Sequence, residues 1–409
     1  MFLLIATLLK FIFFGLVFAI GLAAVLTWME RRQSAYSQDR LGPTRAHFFK
    51  IGGKPFTLFG LLHIAADGAS MFFKEPVTPK NADKLLFKIA PLIGWTTALV
   101  TLALIPFGPS LPSSVFPASW IPEGVETIYL QMAHVDSGIL IVLAIGSLGV
   151  YGAAIGGWAS NNRFALLGGL RATAQSVSYE VALGLTLVGI LMAYGSTELG
   201  SIVESQNGLL FGFLPAWGLF IQPLGAVLFF IAATAETKRT PFDMPEGESE
   251  IIGYFLEYSS MQFGLFMLGE FLEIVVLGAL FTTLFLGGWQ FPHLIGTDSV
   301  SVFGLFTWNG PVAVAVSGTL VFCVKTFFVC SLQLQLRWTL PRFRYDQVMR
   351  LGWKTLLPLA LINIFVTAGL IWWDPTLSIL SYVSIGIILL FVLVVIAGPR
   401  RPPQVAHGH

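Results

Sequence analysis

Charge is scarce in this sequence. Only 11% of its 409 residues are Asp, Glu, Lys or Arg, against about a quarter in an ordinary soluble domain. With 55% hydrophobic residues, 36 Phe and a mean hydropathy of +0.78, a conventional soluble fold is excluded, and no stretch reads as a separate soluble domain. Cysteine is nearly missing. Cys323 and Cys330 fall seven apart in one apolar run without partners at metal spacing, which reads as apolar packing. His47, His63 and His134 are scattered, with no pair at ligand spacing. A Gly-rich phosphate loop, CxxC clusters and a nucleophile triad are all lacking, so the chain alone offers no nucleotide, flavin, metal or iron–sulfur site.

What is abundant is apolar sequence in long runs. Spans are expected at 2–29, 85–107, 135–158, 174–195, 216–236, 258–286, 311–336, 353–373 and 377–397, each near the roughly 20 residues that cross a bilayer as helix. Such runs exceed barrel strands, and lone strands leave backbone groups unsatisfied in lipid, so the expected fold is an all-α polytopic membrane protein. The first run carries Lys10 and no small-residue cleavage pattern, and reads as a retained span. Loops 30–88, 159–177, 237–257, 337–354 and 398–409 hold 21 of the 23 Lys and Arg, while the four alternating loops hold none. By the positive-inside rule the N-terminus lies outside and the C-terminus inside.

Three basic-side loops stand out. In 58–74, apolar residues alternate with a narrow stripe of His63, Asp67, Ser70 and Lys74, an amphipathic interfacial helix about 25 Å long. Loop 157–178 offers Asn161-Asn162 and Gly168-Gly169 as turn formers, with Arg163 and Arg171 near the membrane. Segment 235–258 packs eight charges into 24 residues: Glu236, Lys238, Arg239, Asp243, Glu246, Glu248, Glu250 and Glu257. Six are acidic, more than a connector needs.

Ionisable groups inside spans are costly and face protein or water. Here they are Glu180, Glu270, Glu273 and Lys325. Counted from Glu257 and Arg337 at 1.5 Å per residue, Glu270 and Lys325 lie about 20 and 18 Å deep and are expected to meet. Glu180 lies about 10 Å in from Thr173. Glu236/Glu257, Glu180 and Glu270/Lys325 then descend in series, the arrangement a hydrated proton path requires. The bland alternative is a buried Glu270–Lys325 pair that only fixes helix packing.

Five blocks carry a resemblance: ERRQSAYSQDRLGP (30–43), GLLHIAADGASMFFKEP (60–76), GGWASNNRFALLGGLRATAQSVSYEV (156–181), segment 235–250 and RWTLPRFRYDQVM (337–349). From about 10 to 370 the chain resembles the H-subunit family of proton-pumping NADH:quinone oxidoreductase, respiratory complex I. The resemblance implies an eight-span core whose inner face docks on a peripheral arm carrying FMN, the NADH site and the iron–sulfur clusters. Quinone, the substrate, would enter from lipid between the first span, the amphipathic helix and the sixth span. Glu30, Arg31, Arg40 and Asp67 would line or gate that entrance, with Arg239 and Asp243 in the tunnel. Glu236, Glu246, Glu248, Glu250 and Glu257 would shape the coupling loop, and Glu180 and Glu270 would begin the proton path. No catalytic acid and no resident cofactor are implied for this chain. The expected partners are the other complex subunits, quinone and lipid, not nucleic acid, in the cell inner membrane.

The chain departs from that family twice. It is one residue short between Glu250 and Gly253, which bears on where Glu257 sits. The family core ends at 373, and 374–409 adds a ninth span and a basic, Pro-rich tail. Two other functions compete: the equivalent subunit of a membrane-bound hydrogenase or related dehydrogenase, and a proton-coupled transporter, which would show inverted repeats that this sequence lacks.

Overall fold

The computed structural model describes residues 2–47, 50–51, 54–117, 121, 126–247, 250–291, 299–302, 306–374 and 377–397. Among the described residues, seven helices are long and apolar enough to cross a membrane: Ile5–Ser37, Lys84–Ala103, Gly138–Ala159, Arg163–Tyr194, Ser260–Phe285, Pro311–Thr339 and Tyr345–Trp373. They are the first to fourth and sixth to eighth spans. The shorter apolar helix Pro223–Glu236 and the helix Ser378–Ala397 stand where the fifth and ninth were expected. The fold is therefore all-α and polytopic.

Local chemistry sets the helix ends. Asp83 starts the second span by accepting from the amides of Leu85 and Leu86 at 3.1 and 3.3 Å, and Asn162 starts the fourth by accepting from Phe164 at 2.9 Å. Gly195, left-handed at φ 65°, ends the fourth. The sixth span is the axis of the bundle, with 67% of its apolar window buried. Phe271, Val275 and Ala279 pack against the first, second and seventh spans through Leu26, Leu102 and Phe322. Leu280 and Leu284 join Leu187 and Phe229 of the fourth and fifth. Large apolar side chains such as Leu8, Phe13, Leu320 and Phe365 point outward, as a lipid-facing surface requires.

Loops meet in two sets. The basic loops are tied together by Asp83 N to Ala159 O at 3.2 Å, Phe343 N to Pro241 O at 3.1 Å and Val77 N to Ser259 Oγ at 2.9 Å. At the opposite end Ala133 N reaches Ala103 O at 3.0 Å and Thr197 Oγ1 reaches Asp136 O at 2.9 Å.

The structure differs from the sequence reading in several places. The first span continues to Ser37, so Glu30 and Arg31 sit on its final turns. The amphipathic helix is confined to Leu62–Phe73. The fourth span starts at Arg163, so Gly168-Gly169 is not a turn but a helix contact. A Cβ on Gly169 would come within 2.9 Å of the Ala153 carbonyl oxygen, which is why the third and fourth spans need glycine there. The fifth span is broken at Gln222. The sixth begins at Ser260, leaving Glu257 off the helix.

Candidate functional site

The acidic segment folds inward. After Glu236 the chain leaves the helix, and Gln175 holds it down by donating through Nε2 to the carbonyls of Ala235 and Phe242, both at 2.8 Å. Lys238, Arg239 and Asp243 are consequently buried at 4%, 7% and 5% exposure. Buried charges persist only when paired, and each of these is.

Arg239 stands at the centre. Its guanidinium lies 3.2 Å from Glu270, 3.7 Å from Glu30 and 4.3 Å over the Phe271 ring. Glu30 is also ion-paired with Arg337. Glu270 accepts from the Tyr254 hydroxyl at 2.7 Å, and Arg342 pairs with Asp243 at 2.5 Å. The neighbouring cation turns the other way: Lys238, left-handed at φ 56°, approaches Glu273 at 3.7 Å. Two adjacent cations thus fork between two groups of carboxylates.

The loop groups are shifted accordingly. Burial drives Glu246 well above the usual carboxylate range, and the facing Glu270 carboxylate adds to it. Burial pushes Asp243 up to about 6, against the pull of Arg342. Burial opposes the Lys238 ammonium, yet Glu273 and Glu236 together raise it. Burial likewise works against Arg239, and Glu30 and Glu270 more than restore it.

Asp243 gives a pH test. Its proton is held more tightly folded than unfolded, so its stabilising contribution is complete below 3.8 and lost as pH rises through about 6. The unfolding midpoint of the wild type should therefore fall more steeply across that interval than that of Asp243→Asn. Parallel pH profiles would contradict the burial of this carboxyl.

Three cavities run along the same groups. The first, about 560 Å³, opens among Glu30, Arg31, Arg40, Arg45, His63 and Arg337. The second, about 20 Å³, is lined by Tyr254, Lys238, Glu270 and Glu273. The third, about 70 Å³, holds Glu273, Glu236, Glu180 and Ser147. Glu30 and Arg239 link the first to the second, and Glu273 belongs to both the second and the third. The volumes of the second and third suit one water and a few waters respectively. Buried oxygens of Glu236, Glu246 and Glu273 lack a hydrogen-bond partner among the described residues, which water would supply.

Most of the expected site residues gather here. Glu30, Arg239, Asp243, Glu246 and Glu270 form the ion-paired cluster, and Glu180 and Glu236 face the third cavity. Arg31 pairs with Asp67 at 2.5 Å, and Arg40 donates to Gln38 at 2.7 Å at the mouth of the first. Three lie elsewhere. Glu250 pairs with the partly exposed Arg171 at 2.7 Å. Glu257 accepts from Asn162 at 2.6 Å beside a separate polar cleft. Lys325 does not meet Glu270. Its ammonium donates to the carbonyls of Leu286, Gly288 and Gln290 at 2.6, 3.0 and 2.7 Å and lies 4.2 Å over Trp217. That is the far end of the sixth span, where a cation caps the helix dipole. Counting depth from Glu257 and Arg337 misplaced the pair because Arg337 does not mark the same level as Glu257: it pairs with Glu30, which shares Arg239 with Glu270, so Lys325, twelve residues further along its helix, lies beyond Glu270. Glu248 lies outside the described residues.

Sequence reasoning missed Tyr254, Arg337 and Arg342 as site members and gave Lys238 and Glu273 no role. Glu273 had a signal, since three residues past Glu270 shares its helix face. Tyr254, one aromatic among many, had none.

Fold and site together define a multi-pass helical membrane protein whose interior carries a file of paired ionisable groups. The chain belongs to the NADH dehydrogenase family, whose model matches residues 9–368. It is 44% identical over 352 residues to the NADH-quinone oxidoreductase H subunit of Thermomicrobium roseum, covering 85% of this chain and 91% of that protein. With an H-type NADH-quinone oxidoreductase subunit of Cytophaga hutchinsonii it shares 40% over 360 residues, 87% and 94% of the two chains. With one of Geobacter metallireducens it shares 44% over 351 residues, 86% and 92%.

Proposed function

We propose that this chain is the H-type membrane subunit of a proton-translocating NADH:quinone oxidoreductase, forming part of the quinone entry path and coupling quinone reduction to proton movement. The observation that carries the reading is the succession from the arginine-walled cavity through Glu30, Arg239 and Glu270 to the cavities that Glu273 shares with Glu236 and Glu180. A neutral quinone leaving the lipid meets the first cavity beside the amphipathic helix, at Arg31, Asp67 and Arg40. Charge changes there reach Glu30 and Arg239 directly. Arg239 and Lys238 are backbone neighbours, so a shift of Arg239 alters how Lys238 sits against Glu273. Carboxylates around water-sized spaces can then exchange protons along the file.

Two cysteines on one helix cannot hold a four-thiolate cluster. By the chain's likeness to H-type subunits, FMN, the NADH site and the iron–sulfur chain are assigned to partner subunits docked on the basic face. The clustering of Lys and Arg in the basic loops supports a reading in which that face meets the cytoplasm at a cell inner membrane, with the N-terminus outside.

Affinity purification of the tagged chain from its own membranes tests the assignment. The chain should co-purify with flavin- and iron–sulfur-containing subunits, and the preparation should oxidise NADH with a quinone acceptor. A stable solitary chain that carries no such subunits would overturn it.

A further inference from the structure

The fifth span is interrupted at Gln222, whose backbone turns to φ −132° and ψ 60°. Pro223–Glu236 spans about 21 Å at 1.5 Å per residue, less than a hydrocarbon core of about 30 Å. The preceding piece, Gly218–Ile221, completes the crossing, so the break lies within the membrane. Lipid offers no donors to carbonyls freed at such a break, which must be satisfied by protein.

Two neighbouring spans hold the break, the eighth through the Gln222 side chain and the ninth through a freed carbonyl. The Gln222 side chain accepts from Asn363 at 3.0 Å and donates to Thr367 at 2.7 Å, both on the eighth span. The freed backbone carbonyl of Ile221 accepts from Ser384 Oγ of the ninth span at 2.7 Å, with both residues buried at 3% exposure. Ser381, one turn earlier, bonds back to Leu377 and Ser378 of its own helix. The ninth span packs on both pieces of the fifth and on the eighth, and it lies beyond the residues matched by the family.

The short piece it covers also seats the sixth span. Trp217, at its start, carries the Lys325 ammonium 4.2 Å over its ring. Gly218 lies so close to the sixth span that a Cβ would come 2.3 Å from the Leu284 carbonyl oxygen.

We propose that the ninth helix is a built-in cover for the broken fifth span. The face made by the two pieces of the fifth span and the eighth is a lateral docking surface for a transmembrane helix, and this chain supplies the occupant itself, with Ser384 as the contact on the Ile221 carbonyl. Neighbouring membrane proteins or lipid meet the outward side chains of the cover, Ile379, Tyr382 and Ile387, instead of the break. The inference stands independently of the proposed catalytic function.

The test uses the protein in the form in which it purifies from its membranes. Ser384→Ala should lower the thermal unfolding midpoint by about 2–4 °C, Ser384→Thr should keep it, and Ser381→Ala should match the wild type. A chain ended after Trp373 should fall further or fail to accumulate. An unchanged midpoint in Ser384→Ala, an equal loss in Ser381→Ala, or a truncated chain as stable as the whole one would each overturn the proposal.

Discussion

Glu270→Gln is expected to lower proton translocation linked to quinone reduction by about tenfold or more, while electron transfer from NADH to an artificial acceptor stays near the wild-type rate. Glu270 sits at the junction of the file, holding Arg239 at 3.2 Å and Tyr254 at 2.7 Å and sharing the second cavity with Glu273. Glutamine keeps the shape and one acceptor but carries no exchangeable charge. It also leaves Arg239 with Glu30, at 3.7 Å, as its remaining close carboxylate among the ion pairs. Breaking one side of a buried pair costs about 3–5 kcal/mol, and each 1.4 kcal/mol is about tenfold in a rate. Even partial transmission of that loss to the coupled step exceeds assay error. Equal losses with the artificial acceptor would instead point to a folding defect.

Arg239→Met should be the most damaging change to assembly. The Arg239 guanidinium is 8% exposed, serves two carboxylates and packs on Phe271. Methionine fills much of the volume but leaves the Glu270 carboxylate without its cation, so a destabilisation of about 3–5 kcal/mol is expected. Arg239→Lys should recover part of it, because an ammonium restores charge without the planar fork. The double variant Arg239→Met/Glu270→Gln should lose less than the sum of the single changes, since the second removes the charge that the first strands. Thermal unfolding of the wild type, the two single variants and the double closes the cycle. Strict additivity would mean that the two residues do not interact.

Much of this was legible in the sequence, and the failures have physical causes. Long apolar runs located the spans because lipid leaves the backbone few alternatives, and Glu180, Glu236 and Glu270 stood out as charges where charge is expensive. The break at Gln222 was hidden because residues 216–236 are apolar almost throughout and its partners, Asn363, Thr367 and Ser384, are distant in sequence. Lys325 was misread because backbone carbonyls, not a carboxylate, receive it. Glycines 168 and 169 read as turn formers, although close helix packing uses the same residue. Arg342 reached the site only because the loop after the seventh span folds back on Asp243.

A proton path and a purely structural file predict different outcomes. A structural role predicts loss of stability with no change in coupling. The distinction rests on the far end of the file. Glu180 and Glu236 face the third cavity, and neither has an ion pair with a described residue. Their replacement should spare the fold.

The most direct measurement is the number of protons moved per electron in proteoliposomes containing the purified complex, comparing wild type with Glu180→Gln and Glu236→Gln at matched rates of NADH oxidation by quinone. A proton path predicts a clearly reduced ratio in both variants, with unfolding midpoints close to wild type. An unchanged ratio in both would contradict it and leave the file as packing alone.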